Sequence, residues 1–160
     1  MSIERARRQL EKHGLADRII EFTVSSATVA LAAEALGTEE CRIAKSLSFL
    51  ISDRAIIVVA AGDARVDNKR FRARFGEKPH MIPAYEVEGR IGHGVGGVCP
   101  FGVKDGVEVY LDESLRRFDL VYPAAGTSSS AVRLTLPELE VASESLGWVD
   151  VTKLPESEEK

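Results

Sequence analysis

Apolar and polar residues alternate most regularly near the middle of the chain. Between Ile43 and Ile51, the odd-numbered residues, which include Leu47 and Phe49, share one face, and the even-numbered residues share the other. This period of two is typical of a β-strand with one face in the core. A turn at 52–54 leads into the apolar run Ala55 to Ala60, so the pattern predicts an antiparallel hairpin.

Helical periodicity predicts helices on either side of this hairpin. Their predicted ranges are 2–14, 28–36, 67–75, 83–90, 112–117 and 135–146. A short polar side chain at a helix start can accept a hydrogen bond from a free backbone N–H. The residues of this kind at the predicted starts are Ser2, Asp67, Asp112 and Thr135. Glycines at 14, 37, 76 and 147 follow the ends of four of these helices.

Shorter apolar runs predict the remaining strands, at 19–24, 79–82, 107–111, 120–122, 131–134 and 148–151. Some strands follow one another through turns and others through helices, so we expect a mixed sheet rather than a purely parallel one. No internal repeat and no linker divides the 160 residues. The predicted fold class is α/β, a single domain with a mixed, curled, barrel-like sheet flanked by helices.

Composition narrows the class of protein. Hydrophobic residues make up 44% and charged residues 29% of the chain, as in globular proteins, and the longest apolar run, Ala55 to Ala61, is too short to cross a membrane. The first residues are charged and no apolar stretch follows them, so no secretory signal is expected. Cys41 and Cys99 are too few for a disulfide framework and lack the spacing of a metal site. We therefore expect a cytoplasmic protein without a metal.

A net charge of −4 argues against a protein that coats nucleic acid through bulk charge. The predicted helix at 67–75 is nonetheless basic. Its cations are Lys69, Arg70, Arg72 and Arg74. Two interpretations stay open for this helix: a solvated surface, or a local patch that contacts RNA phosphates.

The stretch from Gly92 to Gly102, with the sequence GHGVGGVCPFG, contains five glycines and a proline. Such a segment cannot form a helix, and its backbone N–H groups can hold a small polar ligand. It matches the G-x-G-x-x-G pattern of dinucleotide-binding folds. No buried strand precedes it and no helix follows it, so we reject that interpretation. A tight structural crossover without a ligand remains the alternative.

Lys45 lies on the same strand face as Leu47 and Phe49. Lysine rarely occupies an apolar face unless it is paired or used, and an ammonium there can orient a phosphate or stabilise negative charge during acyl transfer. The alternative is a lysine at a strand end whose side chain simply reaches water. Ser46 is on the opposite face, where we expect its hydroxyl to form a local hydrogen bond.

Several of these segments together resemble a known family. They are IAKSL at 43–47, D-x-K at 67–69, VGGVCPFG at 95–102 and LDES at 111–114, in that order. The chain resembles the YbaK/prolyl-tRNA-synthetase-associated editing domain family over nearly its whole length. We accordingly expect one editing domain at 1–154 and an acidic, disordered tail at 155–160.

The resemblance implies a free-standing trans-editing hydrolase that deacylates mischarged aminoacyl-tRNA, with a small amino acid on tRNA-Pro as the expected substrate. It implies a catalytic role for Lys45 and a pocket walled by the loop that ends at Gly102. The other residues assigned to substrate binding are Thr28, Ser46, His93, Gly96, Gly97, Pro100, Gly126, Thr127 and Ser128. The basic residues of helix 67–75 would contact the tRNA. An aminoacyl-tRNA synthetase is a further candidate partner, and no cofactor is expected.

Departures from the family pattern leave the edited amino acid open. The loop GVGGV differs from the G-x-x-x-P loop of the family's alanine-specific branch, and Cys99 stands where the cysteinyl-specific branch has serine. Residues 124–130 also lack that branch's acidic residue, although the hydroxyls at 127–130 could replace its contacts.

Two other residues of the glycine-rich loop admit more than one role. Cys99 could be a nucleophile, but the sequence fixes no base beside it, so we expect a small buried loop residue. His93 could shape the pocket or be a plain turn residue. Since no Ser–His or Cys–His arrangement is apparent, we expect water to be the nucleophile. The competing functions are a non-catalytic module that binds tRNA or an aminoacyl-adenylate, and a structural subunit docked on a synthetase.

Overall fold

The computed structural model describes residues 2–155. The helices are α1 (Ser2–Lys12), α2 (Val29–Leu36), α3 (Asn68–Phe75), α4 (Ala84–Ile91) and α5 (Leu136–Ala142). The strands are β1 (Ile19–Glu21), β2 (Ile43–Ile51), β3 (Arg54–Ala61), β4 (Arg65–Val66), β5 (Glu108–Asp112), β6 (Leu120–Pro123), β7 (Ser130–Val132), β8 (Leu134–Thr135), β9 (Trp148–Val149) and β10 (Thr152–Lys153). Short 3-10 helices span Ala16–Arg18, Glu40–Arg42 and Glu113–Arg117. The predicted tail beyond residue 155 and the side chain of Ser2, a predicted cap, lie outside the described part.

A six-stranded mixed sheet, in the order β8-β6-β2-β3-β5-β9, organises the molecule. The hairpin of β2 and β3 is antiparallel over its whole length, whereas β3 with β5, β2 with β6 and β5 with β9 are parallel. Two small sheets, β1 with β7 and β4 with β10, complete the structure. The prediction of one α/β domain with a mixed, curled sheet is confirmed, and the sheet forms a half-barrel.

The two faces of the β2–β3 hairpin pack into separate apolar clusters. On one face, Ala44 of β2 and Val59 of β3 belong to the larger cluster, which also contains Ile82 and Val87. On the other face, Phe49 of β2 packs in a second cluster with Phe71, which is fully buried. The predicted alternation of β2 is therefore confirmed, and each face of the hairpin is covered by different helices.

The predicted helix caps of the described residues are present. Asp67 accepts a hydrogen bond from the Arg70 N–H at 3.0 Å, and Thr135 forms a reciprocal capping box with Glu138. Asp112 accepts from the Ser114 N–H at 2.9 Å. Asp112 is also fully buried, because its carboxylate accepts from the Val151 N–H and from the Thr152 hydroxyl. This second role, which ties the C-terminal segment to β5, was not predicted.

Several predicted elements differ from the structure. The predicted strand 131–134 is two strands, β7 and β8, which pair in different sheets. Residues 79–82 form a single bridge between Met81 and Phe49 instead of a strand. The last helix ends at Ala142, and not at 146, because the following segment pairs with β5 through the Leu146 N–H and the Val109 carbonyl. The first strand ends at Glu21 instead of 24, since the chain then turns toward the loop at 128–129. The pairing of β4 with β10 was not predicted.

Candidate functional site

The main cavity lies at a gap in the sheet. The outer edge of β2 pairs with β6 only at Ile43 and Ala44. Further along, the segment 80–82 pairs with the same edge, because Leu50 N–H donates to His80 O at 2.9 Å and Ile82 N–H donates to Ser48 O at 3.1 Å. Residues 45–47 of β2 lie between these two paired stretches of the strand edge. The cavity that opens beside them has a volume of about 370 Å³.

The cavity is mostly apolar and opens to solvent. Its lining comes from parts of the segments 26–32, 43–48, 81–87, 95–98, 122–124 and 130–131. Met81 and Val95 line it and are 57% and 67% exposed, so they mark its mouth. Among the described residues that line the cavity, Lys45 is the only charged one. A single cation beside an apolar cavity is an arrangement suited to a small ligand with a negative or polarised oxygen.

The Lys45 ammonium is held by two main-chain oxygens. Its Nζ donates to Gly62 O at 3.3 Å and to Ala64 O in a shorter hydrogen bond. Burial lowers the pKa of Lys45 below its ordinary value, and the carboxylate of Asp63 opposes this shift. Because two carbonyls and a nearby carboxylate favour the charged form, the site keeps a half-buried cation at the cavity wall.

The turn that supplies these carbonyls is itself fixed by an ion pair. The Arg117 guanidinium donates to both oxygens of Asp63, at 3.0 and 2.6 Å, and its Nε donates to Ser114 O at 3.0 Å. The bond with Arg117 is the main reason that the pKa of Asp63 lies below its ordinary value. A side chain at Gly62 would collide with Glu40 O, so the turn also needs a glycine there. We call Asp63 and Arg117 the turn clamp.

Ser46 lines the cavity and has an unpaired hydroxyl. Its Oγ is buried and has no hydrogen-bond partner among the described residues. The predicted local hydrogen bond of this hydroxyl is therefore wrong.

The glycine-rich loop contributes to the cavity through only part of its length. Gly96 lines it and has φ of +90°, a conformation that favours glycine. Gly97 does not line it: a Cβ there would lie 2.7 Å from the backbone of Gly126 and Thr127. The close approach at Gly97 is therefore between two loops of the protein. Gly102 and Pro100 lie outside the lining, and Gly102 is tied to α1 through hydrogen bonds with Arg5 and Gln9.

His93 and Cys99 form buried contacts within the glycine-rich loop. Both are fully buried, and neither lines the cavity. The His93 Nε2 lies 2.6 Å from Phe101 O, to which it donates, and 3.5 Å from the Cys99 Sγ. Burial raises the pKa of the Cys99 thiol to about 12 and lowers that of His93. Cys99 is thus a protonated, small buried loop residue, as predicted, and its histidine neighbour was not foreseen.

The hydroxyl-rich loop at 124–130 bonds mainly to itself and to the segment before α2. Ser130 Oγ accepts from the Ala125 and Thr127 N–H groups at 3.2 and 3.3 Å, and Ser128 O accepts from the Ser26 N–H at 2.6 Å. Only Ala124 and Ser130 of this loop line the cavity, so Gly126, Thr127 and Ser128 lie outside the lining. Thr28 lines it, but its hydroxyl caps α2 by accepting from the Leu31 N–H.

The basic helix α3 lies away from the cavity. Phe71 anchors it against the second apolar cluster, and none of its residues lines the cavity. Arg70 donates to Thr152 O at 2.5 Å, and Arg74 lies over the rings of Phe75 and Tyr110. Lys69 and Arg72 are exposed. The structure thus leaves the RNA-binding prediction for this helix untested, and it shows that two of the four cations also have structural contacts.

Sequence reasoning missed the turn clamp and most of the apolar lining. Asp63 lies two residues after β3, but Arg117 lies in a distant 3-10 helix, so only the fold brings them together. Ile82 and Val87 look like ordinary core residues in the sequence, yet they also line the cavity.

Comparison with known proteins agrees with this architecture. Residues 23–141 match the family model described as "Aminoacyl-tRNA editing domain". The chain belongs to the aminoacyl-tRNA editing domain family. The family resemblance noted in the sequence is thereby confirmed.

Individual relatives cover nearly the whole chain. The uncharacterized protein YwhH of Bacillus subtilis (strain 168) is 48% identical over 154 residues, which cover 96% of this chain and 98% of that protein. The crystal structure of a candidate trans-editing enzyme for prolyl-tRNA synthetase is 29% identical, with a TM-score of 0.85, and the match covers 95% of this chain and 97% of that one. The crystal structure of the hypothetical protein APE2540 is 27% identical, with a TM-score of 0.83 and coverage of 93% and 99%.

Within residues 2–155, no group of three His, Cys, Asp or Glu side chains is placed to hold a metal ion. No helix in the same part of this editing domain is long and apolar enough to cross a membrane.

Proposed function

We propose that this editing domain hydrolyses the ester bond of mischarged aminoacyl-tRNA, acting in trans on a small amino acid carried by tRNA-Pro. The observation that carries the proposal is Lys45, a half-buried cation at the wall of a mostly apolar cavity that is open to solvent. An apolar cavity of about 370 Å³ suits a small side chain, and a mouth on the protein surface suits a substrate attached to a large RNA.

In this reaction water attacks the carbonyl carbon of the ester. The new bond forms between that carbon and the water oxygen, the bond to the ribose oxygen breaks, and one water proton ends on the ribose oxygen. Lys45 stabilises the negative charge that develops on the carbonyl oxygen. Losing one such contact typically costs about 100- to 1,000-fold in rate. Cys99 is excluded as the nucleophile by its burial and its raised pKa.

A deacylation panel with a matched control tests the proposal. Wild type, Lys45→Ala and Lys104→Ala are compared on tRNA-Pro charged with alanine, serine or cysteine. Lys104 also donates to a main-chain carbonyl, that of Gly89 at 2.8 Å, but it does not line the cavity. We expect wild type and Lys104→Ala to hydrolyse at least one ester and Lys45→Ala to be slower by at least ~100-fold. Equal rates for all three folded proteins would remove Lys45 from the mechanism.

A binding module without catalysis is the second candidate. The observation in its favour is that the described residues lining the cavity include no Asp, Glu or His that could act as a general base. For this function, the panel would show tight binding of aminoacyl-tRNA without release of the amino acid.

A further inference from the structure

The gap in the sheet leaves main-chain groups of β2 without partners. Leu50 and Ser48 direct their N–H and carbonyl groups to the outer edge, where they pair with 80–82. The register between β2 and β3 is regular from Ala44 to Ile51, so groups two residues apart point to the same edge. Ser46 therefore directs its N–H and carbonyl outward, into the interval that neither β6 nor 80–82 covers.

The Ser46 side chain adds a second, independent observation. Ser46 lines the cavity, and its hydroxyl is buried and has no partner in the described part of the chain. A buried hydroxyl without a hydrogen bond costs about 1–3 kcal/mol. Three polar groups of one residue, the N–H, the carbonyl and the hydroxyl, are thus left for a ligand to satisfy.

From this arrangement we propose that Ser46 binds the aminoacyl group of the substrate by main-chain pairing, an inference that rests on the proposed function. The Ser46 carbonyl accepts from the α-ammonium of the amino acid, and the Ser46 N–H donates to the acyl carbonyl. The Ser46 hydroxyl accepts a second hydrogen bond from the ammonium. Two opposite residues of an antiparallel ladder exchange the same pair of bonds, and an aminoacyl group carries the matching donor and acceptor on one carbon.

Charge in the cavity supports the same assignment. An α-ammonium needs acceptors, and no described residue lining the cavity carries a carboxylate. Carbonyl and hydroxyl oxygens of Ser46 can fill this role without one. The positive charge of Lys45 repels an ammonium and attracts the ester carbonyl oxygen, so only the Ser46 oxygens serve the ammonium, while Lys45 and the Ser46 N–H both act on the carbonyl oxygen.

The pairing also orients the side chain of the amino acid. Residues directly opposite in an antiparallel pair place their side chains on the same face of the sheet. The side chain of the bound amino acid would therefore lie on the Ser46 face, where Ile82, Val87 and Val98 line the cavity. This part of the wall is apolar, which favours a small side chain without charge.

Matched analogues test the role of the α-ammonium. The probes are 3′-amino-3′-deoxyadenosine carrying an alanyl or a propionyl group, which differ only in the amino group and are linked by an amide that resists hydrolysis. A glycyl and acetyl pair serves as a smaller set. We expect the aminoacyl member of a pair to bind at least ~10-fold more tightly, the gain typical of a hydrogen bond to a charged group. Its binding should also shift the amide proton resonance of Ser46 downfield.

Two serine variants separate the hydroxyl from the main chain. Ser46→Ala should weaken alanyl binding several-fold and leave propionyl binding unchanged. Ser143→Ala, the matched control at a buried serine that does not line the cavity, should leave the ratio between the two probes at its wild-type value. Equal binding of both members of each pair, or no binding of any probe, would overturn the proposal.

Ester hydrolysis in the same samples distinguishes the two proposals. If the esters are hydrolysed while paired analogues bind equally, main-chain pairing is wrong and the hydrolase stands. If the ~10-fold preference is found and no mischarged tRNA is hydrolysed, the pairing stands for a binding module and the proposed hydrolase is wrong.

Discussion

The two halves of β2 are covered in different ways. From Ser48 onward, the strand has a neighbour on each edge, and its Phe49 ring packs 4.8 Å from the ring of Phe71. At 45–47 the outer edge is bare, and the polar groups of Lys45 and Ser46 face a cavity. One strand thus provides core packing at one end and candidate chemistry at the other. Rigid support only a few residues away lets the open end keep its geometry without a cover of its own.

The largest effect on stability should come from removing a core side chain that packs against the covered half of β2. Phe71→Ala removes a fully buried ring that contacts Phe49 and Phe75, so the free energy of unfolding should fall by about 3–5 kcal/mol. Denaturant unfolding measures this loss. The kcat/KM of the folded fraction should stay near wild type, because α3 does not line the cavity. A matching fall in kcat/KM would mean that the two halves of β2 are not separable.

Gly97→Ala should lower the stability of the protein and its activity together. The added methyl group would meet the backbone of Gly126 and Thr127 at 2.7 Å, and backbone cannot move aside as a flexible side chain can. Overpacking of this kind costs about 1–3 kcal/mol. We expect a lower melting temperature together with reduced deacylation, since Gly96 next to it lines the cavity. Gly89→Ala, on the open surface of α4, is the control: it should leave deacylation unchanged and raise the melting temperature slightly, because alanine stabilises a helix interior by about 0.5–1 kcal/mol relative to glycine.

Asp63→Asn should change the pH dependence of activity, which depends on Lys45 in the open half of β2. It should leave the core packing of the covered half unchanged. Removing the carboxylate takes away a charge that raises the pKa of Lys45, so this pKa should fall further. Activity that needs the ammonium is lost as pH rises through that pKa, and the alkaline limb of the pH–rate profile should therefore move to lower pH.

The control for this test is Asp53→Asn, in the turn at the other end of the hairpin. Asp53→Asn should leave the alkaline limb of the pH–rate profile at the wild-type pH. A profile of Asp63→Asn that overlays the wild-type profile would show that the turn clamp does not tune Lys45.

The smallest effect is expected at the basic helix. Lys69→Glu with Arg72→Glu changes two exposed cations and leaves the contacts of Arg70 and Arg74 intact. If the helix contacts tRNA phosphates, affinity should fall several-fold and its salt dependence should flatten. Hydrolysis of aminoacyl-adenosine, which lacks the acceptor stem, should not change. Unaltered affinity for full-length tRNA would make α3 an ordinary solvated surface.

The contrast between the two halves of β2 also explains which parts of the structure could be predicted from the sequence. The bounds of β2 were predicted because its alternation is strong, and Lys45 was found because a cation interrupts that alternation. The segment 79–82 was predicted as a strand, yet it forms only a single bridge, made by the His80 carbonyl and the Ile82 N–H, and local propensity does not reveal the extent of pairing. The bare edge at Ser46 is a property of where neighbouring segments stop, so no residue pattern within β2 indicates it.

The bare edge also has a consequence for association between molecules. Unpaired strand edges are templates on which other chains add strands, and long ones lead to aggregation. Here the bare interval is three residues long, 45–47, and pairs of covered residues flank it on both sides. A foreign strand needs a longer run of partners to be held, whereas a single aminoacyl group needs only one residue. If the proposed pairing holds, the short interval limits by its length what can bind there: a small ligand fits, and a polypeptide strand does not.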